Sequence, residues 1–191
     1  MQFTKGIILA AGKGTRLSPA TSVVSKPLLP VYDKPMLYYA LATLMNAGVR
    51  EVLFISRQED QKIFKQLFKN GKNLGMKFKY AVQKKAVGIP DAIRIGEKFV
   101  HKKPYILALA DNIFVGNGLD KLLKKTASSG VKATVLAVKV ANPQKSGVIQ
   151  FDKNMNIISL EEKPKKPKSN FIIPGLYFFN MYSMDYFKAI K

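Results

Sequence analysis

Cysteine and tryptophan are absent from the 191 residues, and histidine occurs once, as His101. Without cysteine there is no disulfide framework, no thiol nucleophile and no thiolate zinc site. A single histidine removes His-cluster metal sites and leaves a Ser-His-Asp triad improbable. Acidic residues are scarce, 12 against 32 basic ones, for a net charge of +20. Arginine is scarce as well: only Arg16, Arg50, Arg57 and Arg94 among the 32. Base readout in nucleic acids favours the planar arginine fork, so this lysine-borne charge argues against a nucleic-acid partner. What it does supply is a general attraction for phosphorylated anions.

No run approaches 18 consecutive apolar residues, so no membrane partner is expected. Met1–Ala10 is too short in its apolar part for a signal peptide and leads directly into a glycine loop. The expected location is cytoplasmic. Hydrophobic residues make up 47%, and a chain of this length can bury a core without staples.

The apolar pattern alternates between strand and helix. Gly6–Ala11, Val52–Ile55, Lys77–Val82, Tyr105–Leu109 and Ala133–Val138 read as strands, the first and fourth as continuous apolar runs of buried parallel type. Between them, Met36–Ala47 reads as a helix ending at Gly48. Ser56-Arg-Gln-Glu59 has capping-box spacing for a helix to about Lys69. Pro90 opens a helix to about Val100, and Leu119–Ala127 forms another. Further on, Gly147–Phe151 and Asn156–Leu160 read as a hairpin around Asp152-Lys-Asn-Met. Ile172–Phe179 reads as a strand and Met184–Lys191 as the start of a helix. This order predicts a single α/β domain over residues 1–191, a three-layer α/β/α sandwich with a mostly parallel, Rossmann-like sheet. Ligands of such sheets bind at the carboxyl ends of the strands.

Chemistry concentrates in Leu9-Ala-Ala-Gly12-Lys-Gly14-Thr-Arg16-Leu-Ser-Pro. Two glycines let backbone N–H groups turn inward as an anion nest, and Arg16 can neutralise phosphate bidentately. The loop is neither a P-loop, which needs Gly-x4-Gly-Lys-Ser/Thr, nor a dinucleotide fingerprint, whose third glycine would stand at Leu17. Three prolines within Ser25-Lys26-Pro-Leu-Leu-Pro30-Val-Tyr-Asp-Lys34-Pro35 stiffen the path that carries Lys26. Asp111 emerges at the carboxyl end of an apolar strand, where one carboxylate plus substrate phosphates can hold magnesium. Gln83, after the third strand, offers an amide donor and acceptor that suit a pyrimidine edge, and Gly88 lets the backbone lie against a base.

Together with Asp33-Lys-Pro-Met36, Asp111-Asn-Ile-Phe114, Gly147-Val148, Ser159-Leu-Glu-Glu-Lys-Pro164, Pro167-Lys-Ser-Asn170 and Gly175-Leu-Tyr-Phe178, these motifs resemble the sugar-1-phosphate nucleotidyltransferases. Within them the glucose-1-phosphate thymidylyltransferases are most similar. The resemblance covers essentially the whole chain. It implies transfer of a nucleotidyl group from dTTP to glucose 1-phosphate, giving dTDP-glucose and pyrophosphate in nucleotide-sugar and polysaccharide biosynthesis. It implies Arg16 and Lys26 as catalytic residues. Leu9, Ala11, Gly12, Gly14, Thr15, Arg16, Gln83, Gly88 and Asp111 would bind the nucleotide, and Gly147, Glu162, Lys163 and Tyr177 the sugar phosphate. Asp111 would ligate Mg2+. The partners implied are a nucleoside triphosphate and a sugar 1-phosphate, in a homo-oligomer.

The chain departs from the family at Ala11, Ala110 and Ser146 and in Gln83-Lys-Lys-Ala-Val-Gly88. UTP or CTP therefore stays open as the nucleotide. The molybdenum-cofactor type of nucleotidyltransferase would lack Pro-Leu-Leu-Pro and Glu-Glu-Lys-Pro. The family pattern continues past Tyr177 with a second magnesium aspartate that has no counterpart in these 191 residues. The expectation is a C-terminally incomplete domain, with a non-catalytic nucleotide-binding relative as the alternative.

Overall fold

The computed structural model describes residues 3–85, 87–127 and 132–189. The strands are β1 (Lys5–Ala10), β2 (Pro30–Val31), β3 (Lys34–Pro35), β4 (Glu51–Ser56), β5 (Lys77–Val82), β6 (Tyr105–Leu109), β7 (Ala133–Val135), β8 (Val138–Lys139), β9 (Gly147–Phe151), β10 (Ile157–Glu162), β11 (Phe171–Ile172) and β12 (Leu176–Phe179). The α-helices are α1 (Leu37–Asn46), α2 (Gln61–Phe68), α3 (Ile89–Val100), α4 (Leu119–Ala127) and α5 (Ser183–Ala189). They fall into two compact units: Met1–Thr134 with Phe178–Lys191, and Val135–Tyr177.

In the first unit β1 is central. It pairs in parallel with β4 on one side and β6 on the other, and β4 pairs in parallel with β5. The full sheet order is β5-β4-β1-β6-β12-β7. Both neighbours bury β1, which is why Gly6-Ile-Ile-Leu-Ala reads as a continuous apolar run: Ile7 and Ile8 have no exposed surface. Successive residues of β1 face opposite helices. A Cβ on Gly6 would lie 2.7 Å from Leu44 Cδ1 of α1, whereas Ile7 Cδ1 lies 2.5 Å from where Gly96 of α3 would carry a Cβ. The three α/β/α layers follow from that alternation. Beyond β4, the rings of Phe54, Phe64, Phe68, Phe78 and Tyr80 form a continuous cluster, with Phe54 stacked on Phe68 at 4.9 Å.

The ladders end level with one another. Ala110 N–H donates to Leu9 O at 3.0 Å, and Gln83 N–H to Ser56 O at 2.9 Å. The carboxyl ends of β1, β4, β5 and β6 thus open onto one edge, from which the glycine loop, Gln83 and Asp111 all emerge.

The second unit holds the four-stranded sheet β10-β9-β11-β8. The β9–β10 hairpin forms as the spacing suggests. Asp152 Oδ1 accepts the N–H groups of Asn154 and Asn156, each at 2.8 Å, and closes the turn.

Four expectations need correction. Ser56 is no helix cap: it is the buried last residue of β4 and its hydroxyl donates to Arg57 O. Helix α2 starts five residues later, behind Asp60. Ala133–Val138 is two strands in two sheets, β7 and β8. Ile172–Phe179 is likewise divided into β11 and β12, at Pro174-Gly175, where Gly175 takes φ 64°. Helix α5 begins at Ser183 rather than Met184, and Ile190 and Lys191 lie outside the described residues.

Candidate nucleotide-binding site

The loop after β1 carries no regular secondary structure until Gly14, which turns left-handed at φ 67° into a short 3-10 turn. Ala10, Gly12 and Gly14 line a cavity of about 270 Å³ with Leu9, Thr15, Arg16, Lys26 and Asp111. Ala11 and Lys13 line a second cavity of about 700 Å³ with Arg57, Val82, Gln83 and Val87. One short segment therefore serves two chambers.

The two glycines do different jobs. Gly14 sits at φ 67°, and a Cβ there would lie 2.9 Å from Lys26 Cβ and 3.0 Å from Thr21 Cγ2. Its conformation and its missing side chain both let the Lys26 stem pass. Thr21 Oγ1 donates to Gly14 O at 2.9 Å and ties the loop to the following turns. Gly12, in contrast, has an ordinary φ, and a Cβ there would meet nothing within 4 Å. The space before Gly12 is open cavity, as an approaching anion requires.

At the cavity's far wall Lys26 Nζ lies 2.8 Å from Asp111 Oδ2, and Asn112 Nδ2 donates to Asp111 Oδ1 at 3.1 Å. The pair is partly exposed, 25% for the lysine side chain and 37% for the aspartate. Such pairs contribute only about 0–1 kcal/mol. A phosphate arriving in the cavity can therefore draw Lys26 away and free the carboxylate. Among the described residues no group of three His, Cys, Asp or Glu side chains could hold a metal unaided. Asp111 alone fits magnesium in its usual mode, with phosphate and water oxygens completing the shell.

Lys26 is presented by a one-turn 3-10 segment, Lys26–Leu28, behind Ser25. Ser25 is 4% exposed, and its hydroxyl has no hydrogen-bond partner. A buried group in that state costs roughly 1–3 kcal/mol.

On the other side, Gln83 is buried at 4% exposure. Its Nε2 donates to Asp91 Oδ2 at 2.9 Å and to Gly88 O at 3.1 Å. Both N–H groups are thus committed inside the chain, and Oε1 is the amide atom these two bonds leave over. The sequence suggests a donor and an acceptor; in the structure the donors are taken within the chain. Gly88 takes φ 101° just before α3 and lines neither cavity directly. Arg57 is clamped by Asp60 (Nε 2.7 Å, Nη2 3.1 Å) and reaches Glu59 at 3.1 Å. The Asp60 hydrogen bond raises its already high pKa.

Gly147, Glu162, Lys163 and Tyr177 come together within the second unit. Gly147 is opposite Glu162 in the β9–β10 register. A Cβ on Gly147 would lie 3.3 Å from Glu162 Oε2. Lys163 takes φ 46°, its N–H donates to Ser146 O at 3.1 Å, and its Nζ lies 2.9 Å from Glu162 Oε1. Tyr177 has its pKa raised, first by burial and then by the negative charge of Glu162.

Sequence reasoning missed Thr21, Asp91, Arg57 and the special state of Ser25. Asp91 was legible as an acid in the first turn after Pro90. The others are local in the chain, Arg57 with Asp60 three residues on and Thr21 with Gly14 seven residues back, but their geometry is set by the fold and not by a motif.

A family profile for nucleotidyl transferases matches residues 5–191. The glucose-1-phosphate thymidylyltransferase of Neisseria meningitidis is 46% identical over 98% of this chain and 65% of its own length. That of Xanthomonas campestris pv. campestris is 46% identical over 100% of this chain, again 65% of its own length. The chain thus spans just under two thirds of these relatives. Among solved structures, a candidate glucose-1-phosphate thymidylyltransferase of Bacillus anthracis, in complex with sucrose, superposes with a TM-score of 0.91 at 35% identity, covering 98% of this chain and 75% of that one. A UDP-glucose pyrophosphorylase in complex with UDP-glucose superposes with a TM-score of 0.82 at 25% identity, covering all of this chain and 81% of that one.

Proposed function

The chain belongs to the nucleotidyl transferase family, and from that premise we propose that it takes part in joining dTTP to glucose 1-phosphate, releasing pyrophosphate and forming dTDP-glucose. One observation carries the reading: the Lys26–Asp111 pair faces a glycine loop across a small cavity at the carboxyl ends of β1 and β6. The nucleotide's phosphates enter that cavity. The base enters the larger one, where Gln83 Oε1 accepts the N3–H of a thymine or uracil.

A phosphate oxygen of glucose 1-phosphate attacks the α-phosphorus in line, and the bond to pyrophosphate breaks. Such transfers ask a protein for position and charge neutralisation rather than for a base. Backbone N–H groups around Gly12 and Gly14 cradle the triphosphate, and Leu9 and Thr15 wall it. Arg16 holds the pyrophosphate oxygens as they gain charge. Lys26 leaves Asp111 for the α-phosphate and stabilises its transition-state charge. Magnesium held by Asp111 would neutralise phosphate charge. In the second unit Lys163 binds the sugar phosphate, Glu162 and the Gly147 backbone the sugar hydroxyls, and Tyr177 packs against the ring. The same reading puts the protein in the cytoplasm, as a homo-oligomer. No helix among the described residues is long and apolar enough to cross a membrane.

The test is pyrophosphate release with Mg2+, dTTP and glucose 1-phosphate. Release that needs both substrates is expected, and its loss in Lys26→Ala. Nucleotide binding without release under any condition would instead favour a non-catalytic nucleotide-binding relative.

A further inference from the structure

Ser25 occupies the N-cap position of the turn that presents Lys26, yet its hydroxyl cannot cap. Capping needs the N–H of the second or third residue of the turn. The second is Pro27, which has none, and the third is Leu28, whose N–H already donates to Ser25's own carbonyl at 2.8 Å. The hydroxyl is buried and unpartnered, and an alanine, which lacks it, would avoid the desolvation penalty. Its oxygen is also fully covered, so a ligand reaches it only if the turn moves.

The turn has reason to move. Its neighbour Lys26 is held at its tip only by a weak, partly exposed pair with Asp111, and its stem passes the side-chain-less Gly14 of the loop. We infer that Ser25 is a positioning residue: its hydroxyl acquires its hydrogen-bond partner only when Lys26 leaves Asp111 for the triphosphate, and this gain holds the 25–28 turn in the nucleotide-bound arrangement. The partnerless hydroxyl raises the energy of the free state, and nucleotide binding relieves it. The inference rests on the nucleotide reading of the cavity proposed above.

Two readouts of Ser25→Ala move in opposite directions. The melting temperature of the free protein rises by about 2–4 °C, because an unsatisfied group is removed. Affinity for dTTP with Mg2+, measured by calorimetry, falls about 5–10-fold. A double-mutant cycle assigns the loss to Lys26: in the Lys26→Ala background, Ser25→Ala changes affinity less than two-fold. A lower melting temperature in Ser25→Ala means the hydroxyl has a structural partner and overturns the inference. So does unchanged dTTP affinity, or an equal loss with and without Lys26. A wild-type chain that binds no triphosphate overturns the nucleotide reading itself, and this inference with it.

Discussion

Tyr105 shows how burial at a single side chain sets a pH limit. It opens β6, is 1% exposed, and burial pushes its phenol up to about 12 although Ser183, at 3.3 Å, pulls the other way. The folded protein therefore keeps the phenolic proton at pH values where the unfolded chain, with a pKa near 10, has lost it. The stability this contributes is complete below pH 10 and disappears as pH rises from 10 through 12. Full ionisation corresponds to roughly 2–3 kcal/mol for a shift of this size. Urea unfolding at pH 9 and pH 11.5 checks this: Tyr105→Phe is expected to lose clearly less stability than wild type over that interval. At the same scale, the position of Gln83 at the end of the third strand was legible in the sequence, and its role toward a base is a proposal. That its amide N–H groups are taken was not legible, because Asp91 lies eight residues on and reaches it only through the fold.

At the scale of elements, the glycine loop separates binding from folding. Gly12→Ala places its Cβ in open cavity at an ordinary φ. Stability is expected to stay within about 0.5 kcal/mol of wild type, while dTTP affinity falls, since the methyl group occupies phosphate space. Gly14→Ala forces a left-handed alanine and drives a Cβ to within 2.9 Å of Lys26. It is expected to lose about 1–2 kcal/mol from backbone strain alone and dTTP affinity as well. Thermal unfolding and calorimetry on both variants check the pair, and equal stability losses would contradict it. The elements themselves were read unevenly. β5, β6, β9 and α4 were found at their full extent because apolar runs or helical periodicity end at glycine, proline or charge. β7–β8 and β11–β12 were each merged, because an apolar run does not tell where a strand changes sheet; only Pro174-Gly175 marked a break. Ser56-x-x-Glu59 matched the spacing of a cap but stood in a strand, because burial between β1 and β5 outweighs a local capping preference.

For the whole molecule, a net charge of +20 carried mainly by lysine suits polyanionic small molecules better than base-specific readout. The sheet order brings the glycine loop, Lys26, Gln83 and Asp111 to one edge, although they are separated by up to about a hundred residues in the chain. Motif order made this edge legible in the sequence. The division of the loop between two cavities was not, because it depends on how β4, β5 and the residues after them pack beside the loop. We place a pyrimidine in the larger cavity and its phosphates in the smaller. Adenine presents a lone pair at N1 where thymine and uracil present N3–H, so in the proposed arrangement Gln83 Oε1 would accept from the pyrimidines and oppose ATP. Calorimetric titration of the chain with dTTP, UTP and ATP in the presence of Mg2+ tests this most directly. Both pyrimidine nucleotides are expected to bind at least about tenfold more tightly than ATP, a difference of ~1.4 kcal/mol; equal affinity for ATP would mean that the larger cavity does not select a pyrimidine.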